Sequence, residues 1–158
     1  MDWFDDACQY YHFQADRLSS LPADWQRELA ALWRLEVDGN NGGYLQFLVN
    51  WGRESYVYAS QALRRIGAHR MADLMDECQR LIDKHFDTET KTQEELQSLM
   101  PNPVFGVNWT RIERTSVLPE AVLARIYELS EELMNYPDDI VELGKRYYGP
   151  LIEGENRT

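Results

Sequence analysis

The chain is short of cysteine, histidine, basic residues and long apolar runs, and each shortage removes a class of function. There are two cysteines in 158 residues. Cys8 and Cys78 form no CxxC pair; a disulfide between them is open, and reduced thiols in the cytosol are the simpler expectation. Of the three histidines, His12 and His85 have no serine or cysteine nucleophile motif near them. Neither a G-x-S-x-G elbow nor a phosphate-cradling glycine loop occurs, so no enzyme class is indicated and no cofactor is implied. The apolar run from Tyr44 to Trp51 is broken by Gln46 and Asn50 and falls far short of a membrane span. The start, Met1-Asp2-Trp3-Phe4-Asp5-Asp6, is acidic and lacks the basic region of a secretory signal, which points to a cytoplasmic protein.

Basic residues are the most telling deficit. Lys plus Arg number 16 against 27 Asp plus Glu, a formal net charge of -11. Direct binding to nucleic acid needs phosphate contacts from Lys and Arg, and an anionic membrane repels such a chain. Three readings of the acidity remain: solubility, cation binding, or attraction to a basic protein surface.

What is abundant is core material. Apolar residues make up 44% and aromatics 12%, with five Trp and nine Tyr, enough for one packed domain and too much for a disordered chain. Helical spacing dominates, and the expected fold is all-α, a single domain over residues 1–150 of about seven helices, with a flexible tail over 151–158. A first helix runs from about Asp2 to Leu18, and a second starts near Pro22. The polar glycine-rich stretch from Asp38 to Gly43 reads as the end of that second helix. Tyr44 to Trp51 reads as a short central helix closed by Gly52, apolar nearly all round and so the most buried element. Glu54 to Ile66 follows, then a longer helix with Met71, Met75, Cys78 and Ile82 inward. Thr92 and Glu95 have capping-box spacing for a helix to Met100. Residues 101–117 lose the helical period, so a short strand and a long ordered loop are both open. Pro119 starts another helix, and a last one over Ile140 to Tyr148 is ended by Gly149-Pro150.

The segment Glu36-Val37-Asp38-Gly39-Asn40-Asn41-Gly42-Gly43-Tyr44-Leu45-Gln46-Phe47-Leu48-Val49-Asn50-Trp51-Gly52 carries a pattern: an acid, Asn-Gly-Gly, an aromatic, Gln-Phe, then Asn before Gly. Together with Ala62-Leu63-Arg64-Arg65-Ile66-Gly67-Ala68 it resembles the bacterial acidic DNA-mimic protein family, long catalogued as a domain of unknown function. The resemblance covers Leu29 to Ala68, with Asp38-Gly39 lengthening the turn relative to the usual pattern. It implies an all-helical cytosolic protein without known catalysis. It also implies a partner: such a mimic occupies the DNA-binding face of a transcriptional regulator.

Three groups of residues are candidates. In the motif, Glu36, Asn41, Gly42, Gly43, Gln46, Phe47, Asn50 and Gly52 read as structural, with Gln46 and Asn50 on one helical face joined in an internal network and Asn41 as a cap. Asp2, Asp5 and Asp6, then Glu128, Glu131 and Glu132, then Asp138, Asp139 and Glu142 form the candidate acidic surface for a basic protein partner such as a DNA-binding regulator. DNA carries about one charge per 1.7 Å of axis, so a mimic needs carboxylates in rows; the same residues also suit a plain solvated surface. Lastly, His69, Asp73 and Glu77 share a helical stripe with metal-ligand spacing, which gives the alternative of a small metal-binding protein or enzyme, although the interleaved Arg70, Arg80 and Lys84 favour a salt-bridged face. Immunity-type inhibition of a toxin fits the acidity equally. Tyr10, Tyr11 and Phe13 outside the core would allow a homodimer.

Overall fold

A computed structural model describes residues 2–101, 104–105, 111–112 and 115–157. Its helices are α1 (Trp3–Gln14), α2 (Asp24–Ile66), α3 (His69–Asp83), a single turn α4 (Gln93–Leu96), α5 (Glu120–Met134) and α6 (Ile140–Asn156). Short 3-10 turns at Leu18–Ser20 and Gln97–Leu99 complete the helical part. Val104–Phe105 (β1) pairs antiparallel with Arg111–Ile112 (β2), with Val104 opposite Ile112. The rest of the long loop expected over 101–117, at 102–103, 106–110 and 113–114, lies outside the described residues.

The first helix is set by its cap: Asp2 accepts the Phe4 N–H at 2.9 Å, which satisfies an orphan donor. It stops at Gln14 rather than Leu18, because Ala15 is already extended. The axis of the molecule is α2, which packs against α1, α3, α4, α5 and α6. Its 43 residues are not one straight rod. Gly43 (φ 79°, ψ -173°) and Gly52 (φ 78°, ψ -178°) leave helical geometry and divide it into segments 24–42, 44–51 and 53–66. That backbone region is open essentially to glycine alone. The expected turn over Asp38 to Gly43 is therefore corrected. The chain stays helical to residue 42 and departs only at Gly43, and Gly39 serves packing: a Cβ there would stand 2.7 Å from the Met134 sulfur.

The middle segment is the centre of the core. Tyr44, Leu45, Phe47 and Leu48 are fully buried, joined by Leu29, Leu32, Leu35, Leu63, Met75, Ile126, Leu129 and Leu133 from the surrounding helices. Cys8 and Cys78 are both buried free thiols, so no disulfide joins them. Burial pushes both thiols up, Cys78 to about 12, which leaves them protonated and inert.

At the far end, Thr92 and Glu95 form the expected capping box, with Glu95 N–H on Thr92 Oγ1 at 3.2 Å and Thr92 N–H on Glu95 Oε2 at 2.9 Å. The α-helix then lasts one turn before tightening to 3-10, rather than running to Met100. A larger correction concerns α6, which passes through Gly149 and Pro150 to Asn156. Proline removes one helical hydrogen bond and disfavours the turn before it. Here tertiary contacts outweigh that cost, because Glu155 accepts from the Tyr11 hydroxyl and from Gln26 Nε2. Residues 151–156 are thus helix, not a flexible tail. Buried Glu28 ties the same helix to α2, accepting from the Tyr148 hydroxyl at 2.8 Å, Gln61 Nε2 at 2.7 Å and Arg65 Nε at 3.0 Å. No helix is long and apolar enough to cross a membrane among the described residues.

Candidate functional site

The motif residues meet around Asp38, a residue that sequence reasoning placed in a turn. Its carboxylate accepts from Gln46 Nε2 at 3.1 Å and from the Trp51 indole N–H. Gly42 makes room for this arrangement, since a Cβ there would stand 2.0 Å from Gln46 Oε1. Where the helix breaks at Gly43, the freed N–H of Tyr44 donates to Ser130 Oγ of α5 at 3.0 Å. The Tyr44 hydroxyl donates to buried Gln79 of α3. Two expectations do not hold: Asn41 is exposed and caps nothing, and Asn50 does not join Gln46, its side-chain amide having no hydrogen-bond partner among the described residues.

Beneath Trp51 lies a buried cation that the sequence reading missed. Arg34 is 2% exposed. Its Nε donates to His12 Nδ1 at 3.2 Å, Nη1 to Ser55 Oγ at 3.0 Å, and Nη2 to the Ala15 and Asp16 carbonyls at 3.1 and 3.0 Å. Its Cζ lies 4.2 Å from the centre of the Trp51 ring, a cation–π contact. Every acceptor is neutral, and among the described residues no carboxylate bonds to it directly, although the Glu54 and Asp16 charges act on it. Burial, followed by the Arg34 charge, holds the His12 imidazole below its ordinary value. His12 therefore stays neutral and can accept through Nδ1. The signal available in the sequence was an arginine within the apolar face Leu29, Leu32, Trp33 and Leu35.

Glu36, which opens the motif, is half-buried and lines an open cleft of about 390 Å³ with Asp5, Trp33, Asn40, Tyr136 and Val141. Burial, and then the neighbouring Asp5 charge, pushes its carboxyl up to about 7. Tyr136 adopts the left-handed region (φ 53°) and bonds to Asn40 Nδ2 at 2.6 Å.

The candidate acids fall into two neighbourhoods. Asp2 of the first helix pairs with Lys145 of α6, and the charges of Glu142 and Asp5 also act on that lysine. The folding of α6 against α1 thus brings the two chain ends' carboxylates together. On α5, Glu128 pairs with Arg125 at 3.1 Å, and Arg125 also meets Glu77 at 3.6 Å; Glu131 and Glu132 are exposed. Some of the acids do structural work instead. Asp138 accepts the Met71 N–H at 2.9 Å, and Asp139 caps α6 through the Glu142 N–H at 3.1 Å. Asp6 lies on the rim of a groove of about 790 Å³ between α1 and the end of α6. Of the aromatics named for self-association, Tyr10 and Phe13 are exposed but Tyr11 is buried.

The His69, Asp73 and Glu77 stripe is not gathered into a ligand set. Asp73 pairs with Arg64 at 2.9 Å while Glu77 turns to Arg125. No group of three or more His, Cys, Asp or Glu side chains is placed to hold a metal ion among the described residues.

Comparison with curated proteins and with solved structures gives no match. A family model described as DMP19-like protein, after DNA mimic protein 19, matches residues 19–153. That span reaches well beyond the Leu29–Ala68 stretch on which the resemblance was read and takes in every helix from α2 to α5 and most of α6. The chain belongs to the DMP19-like protein family.

Proposed function

We propose that this protein is a non-enzymatic, acidic interaction protein that occupies the basic DNA-binding face of a nucleic-acid-binding protein. Family membership carries the reading, and the net charge of -11 supplies its physical basis. A basic DNA-binding face is built to neutralise phosphates, and carboxylates presented at comparable spacing release the same counterions. The supporting geometry is the convergence of Asp2, Asp5 and Glu142 where α1 meets α6, with the exposed acids of α5 as a second element.

The test is capture of DNA-binding proteins on the immobilised chain, followed by elution with duplex DNA at fixed ionic strength. Each captured protein is then assayed for displacement from its own operator by the free protein. Expected are displacement by DNA and an affinity that falls steeply with salt. The triple variant Glu128→Gln, Glu131→Gln, Glu132→Gln, paired with Asp5→Asn, should weaken capture. Binding indifferent to both DNA and salt would overturn the reading.

A further inference from the structure

The buried guanidinium of Arg34 forms no direct ion pair among the described residues, although the Glu54 and Asp16 charges act on it, and two adjoining clefts of about 430 and 380 Å³ open beside it. Both are lined by Arg34, Asn50, Trp51 and Gln93. The four hydrogen bonds of Arg34 use all its donors except one Nη1–H. The Asn50 side-chain amide, half-buried on the same wall, has no hydrogen-bond partner among the described residues. Arg17, Arg53 and Lys91 add three cations to the larger cleft. Its acids are partly engaged: Glu54 accepts the Leu18 N–H at 2.7 Å, Glu89 lies 3.5 Å from Arg53, and Asp16 is exposed, while the Glu54 and Asp16 charges also act on Arg34. Arg53 is itself held by Asp83 at 3.0 Å. The donors left over are thus an Arg34 N–H, the Asn50 amide, the exposed Arg17 guanidinium and the Lys91 ammonium.

We propose that the cleft between residues 15–17, the Gly52 kink and α4 binds a small oxyanion, a phosphate ester or a carboxylate. A buried cation whose direct hydrogen-bond acceptors are all neutral is stabilised further by an anion that reaches its spare N–H, and a guanidinium presents that donor in a plane suited to oxyanions. The cleft volume matches a metabolite-sized ligand rather than a macromolecule. The chain's overall charge of -11 works against non-specific anion uptake, so saturable binding reports this site and not the general field. The site is separate from the acidic surface and stands whether or not that surface mimics DNA.

The experiment titrates the full chain with inorganic phosphate and, separately, with malonate, at constant ionic strength. Heat is read by calorimetry, and the Trp51 indole N–H signal by NMR. Saturation by phosphate alone identifies the phosphate-ester class; saturation by malonate alone identifies carboxylates; either supports the site. Asn50→Ala and Lys91→Ala should each weaken binding about tenfold, the cost of one charged or buried hydrogen bond. Lys91 is exposed, so its variant folds even where Asn50→Ala does not. Arg146→Ala on the exposed face of α6 should leave binding unchanged. The proposal is overturned where neither anion saturates below about 20 mM, or where binding is equal in wild type and both cleft variants.

Discussion

Replacing Glu36 by glutamine tests whether the family motif begins with a carboxyl that folding keeps protonated. Its carboxyl rises from an ordinary 4.5 to about 7 because it is half-buried against Trp33 and Tyr136 and faces Asp5. The folded chain therefore holds a proton that the unfolded chain gives up. The stability linked to that proton is fully present below pH 4.5 and is lost as pH rises through about 7. At about 1.4 kcal/mol per pH unit, the loss at pH 8 is about 3.4 kcal/mol for a fully shielded group, while at about pH 5.5 it is still only about 1.4 kcal/mol. Glu36→Gln carries no such loss, so its stability gain over wild type should grow by about 2 kcal/mol between these pH values. Solvent reaching this half-buried site reduces that to about 1 kcal/mol. Urea unfolding of both proteins at the two pH values measures the difference directly. The pair is needed because many other carboxylates titrate in the same window and cancel between the two chains. A gain of the same size at both pH values would refute the argument, since a gain from packing or hydrogen bonding does not depend on pH.

Gly52→Ala should cost about 1 to 3 kcal/mol, read by urea unfolding; nothing lies within 4 Å of the added Cβ, so the loss measures backbone strain alone. Ser130→Ala removes the acceptor of the Tyr44 N–H and should cost about 1 to 3 kcal/mol by leaving a buried donor unpaired. A stability indistinguishable from wild type would show that the α2–α5 contact is not held there. His12 should titrate below 6.5 by NMR, because Arg34 and burial oppose its protonation. Its folded value being depressed, the chain loses stability as pH falls below 6.5, where the unfolded state takes up the proton first.

Much of the fold was legible because the apolar pattern is strong where the core is. Tyr44 to Val49 has too few polar positions to face water, and a segment of that kind has to be central. The Thr92–Glu95 box and the α3 face were read for similar local reasons. What could not be read were choices made by tertiary contact. Asp38, Gly39 and Asn40 have turn chemistry, yet they stay helical because Gly39 admits Met134 and Asp38 receives Gln46 and Trp51. Pro150 has stop chemistry, yet α6 continues because Glu155 is held by Tyr11 and Gln26 from two other helices. The candidate acids were named correctly as residues but not as a surface. Whether a carboxylate faces solvent, caps a helix or meets a lysine depends on which helix lies opposite, and Lys145 and Arg125 were invisible as neighbours.

The two glycine breaks in α2 connect these observations. A straight helix of that length would carry Trp51 and Arg34 along one rod, with no way to bring the 44–51 segment across the core. By turning at Gly43 and again at Gly52, the chain folds the apolar middle segment inward and returns residues 53–66 alongside 24–42, as the Glu28–Gln61 and Arg34–Ser55 bonds record. Each break frees backbone groups, and polar side chains lie beside them: Ser130 of α5 receives the Tyr44 N–H, and Asp38 of the motif holds Gln46 and Trp51 of the middle segment. The same folding back places an arginine under a tryptophan with only neutral groups as its direct hydrogen-bond acceptors and leaves Asn50 beside an open cleft. The motif is therefore first a device for folding α2 on itself. The donors it leaves unpaired at Arg34 and Asn50 are a by-product of that fold on which a ligand site can be built.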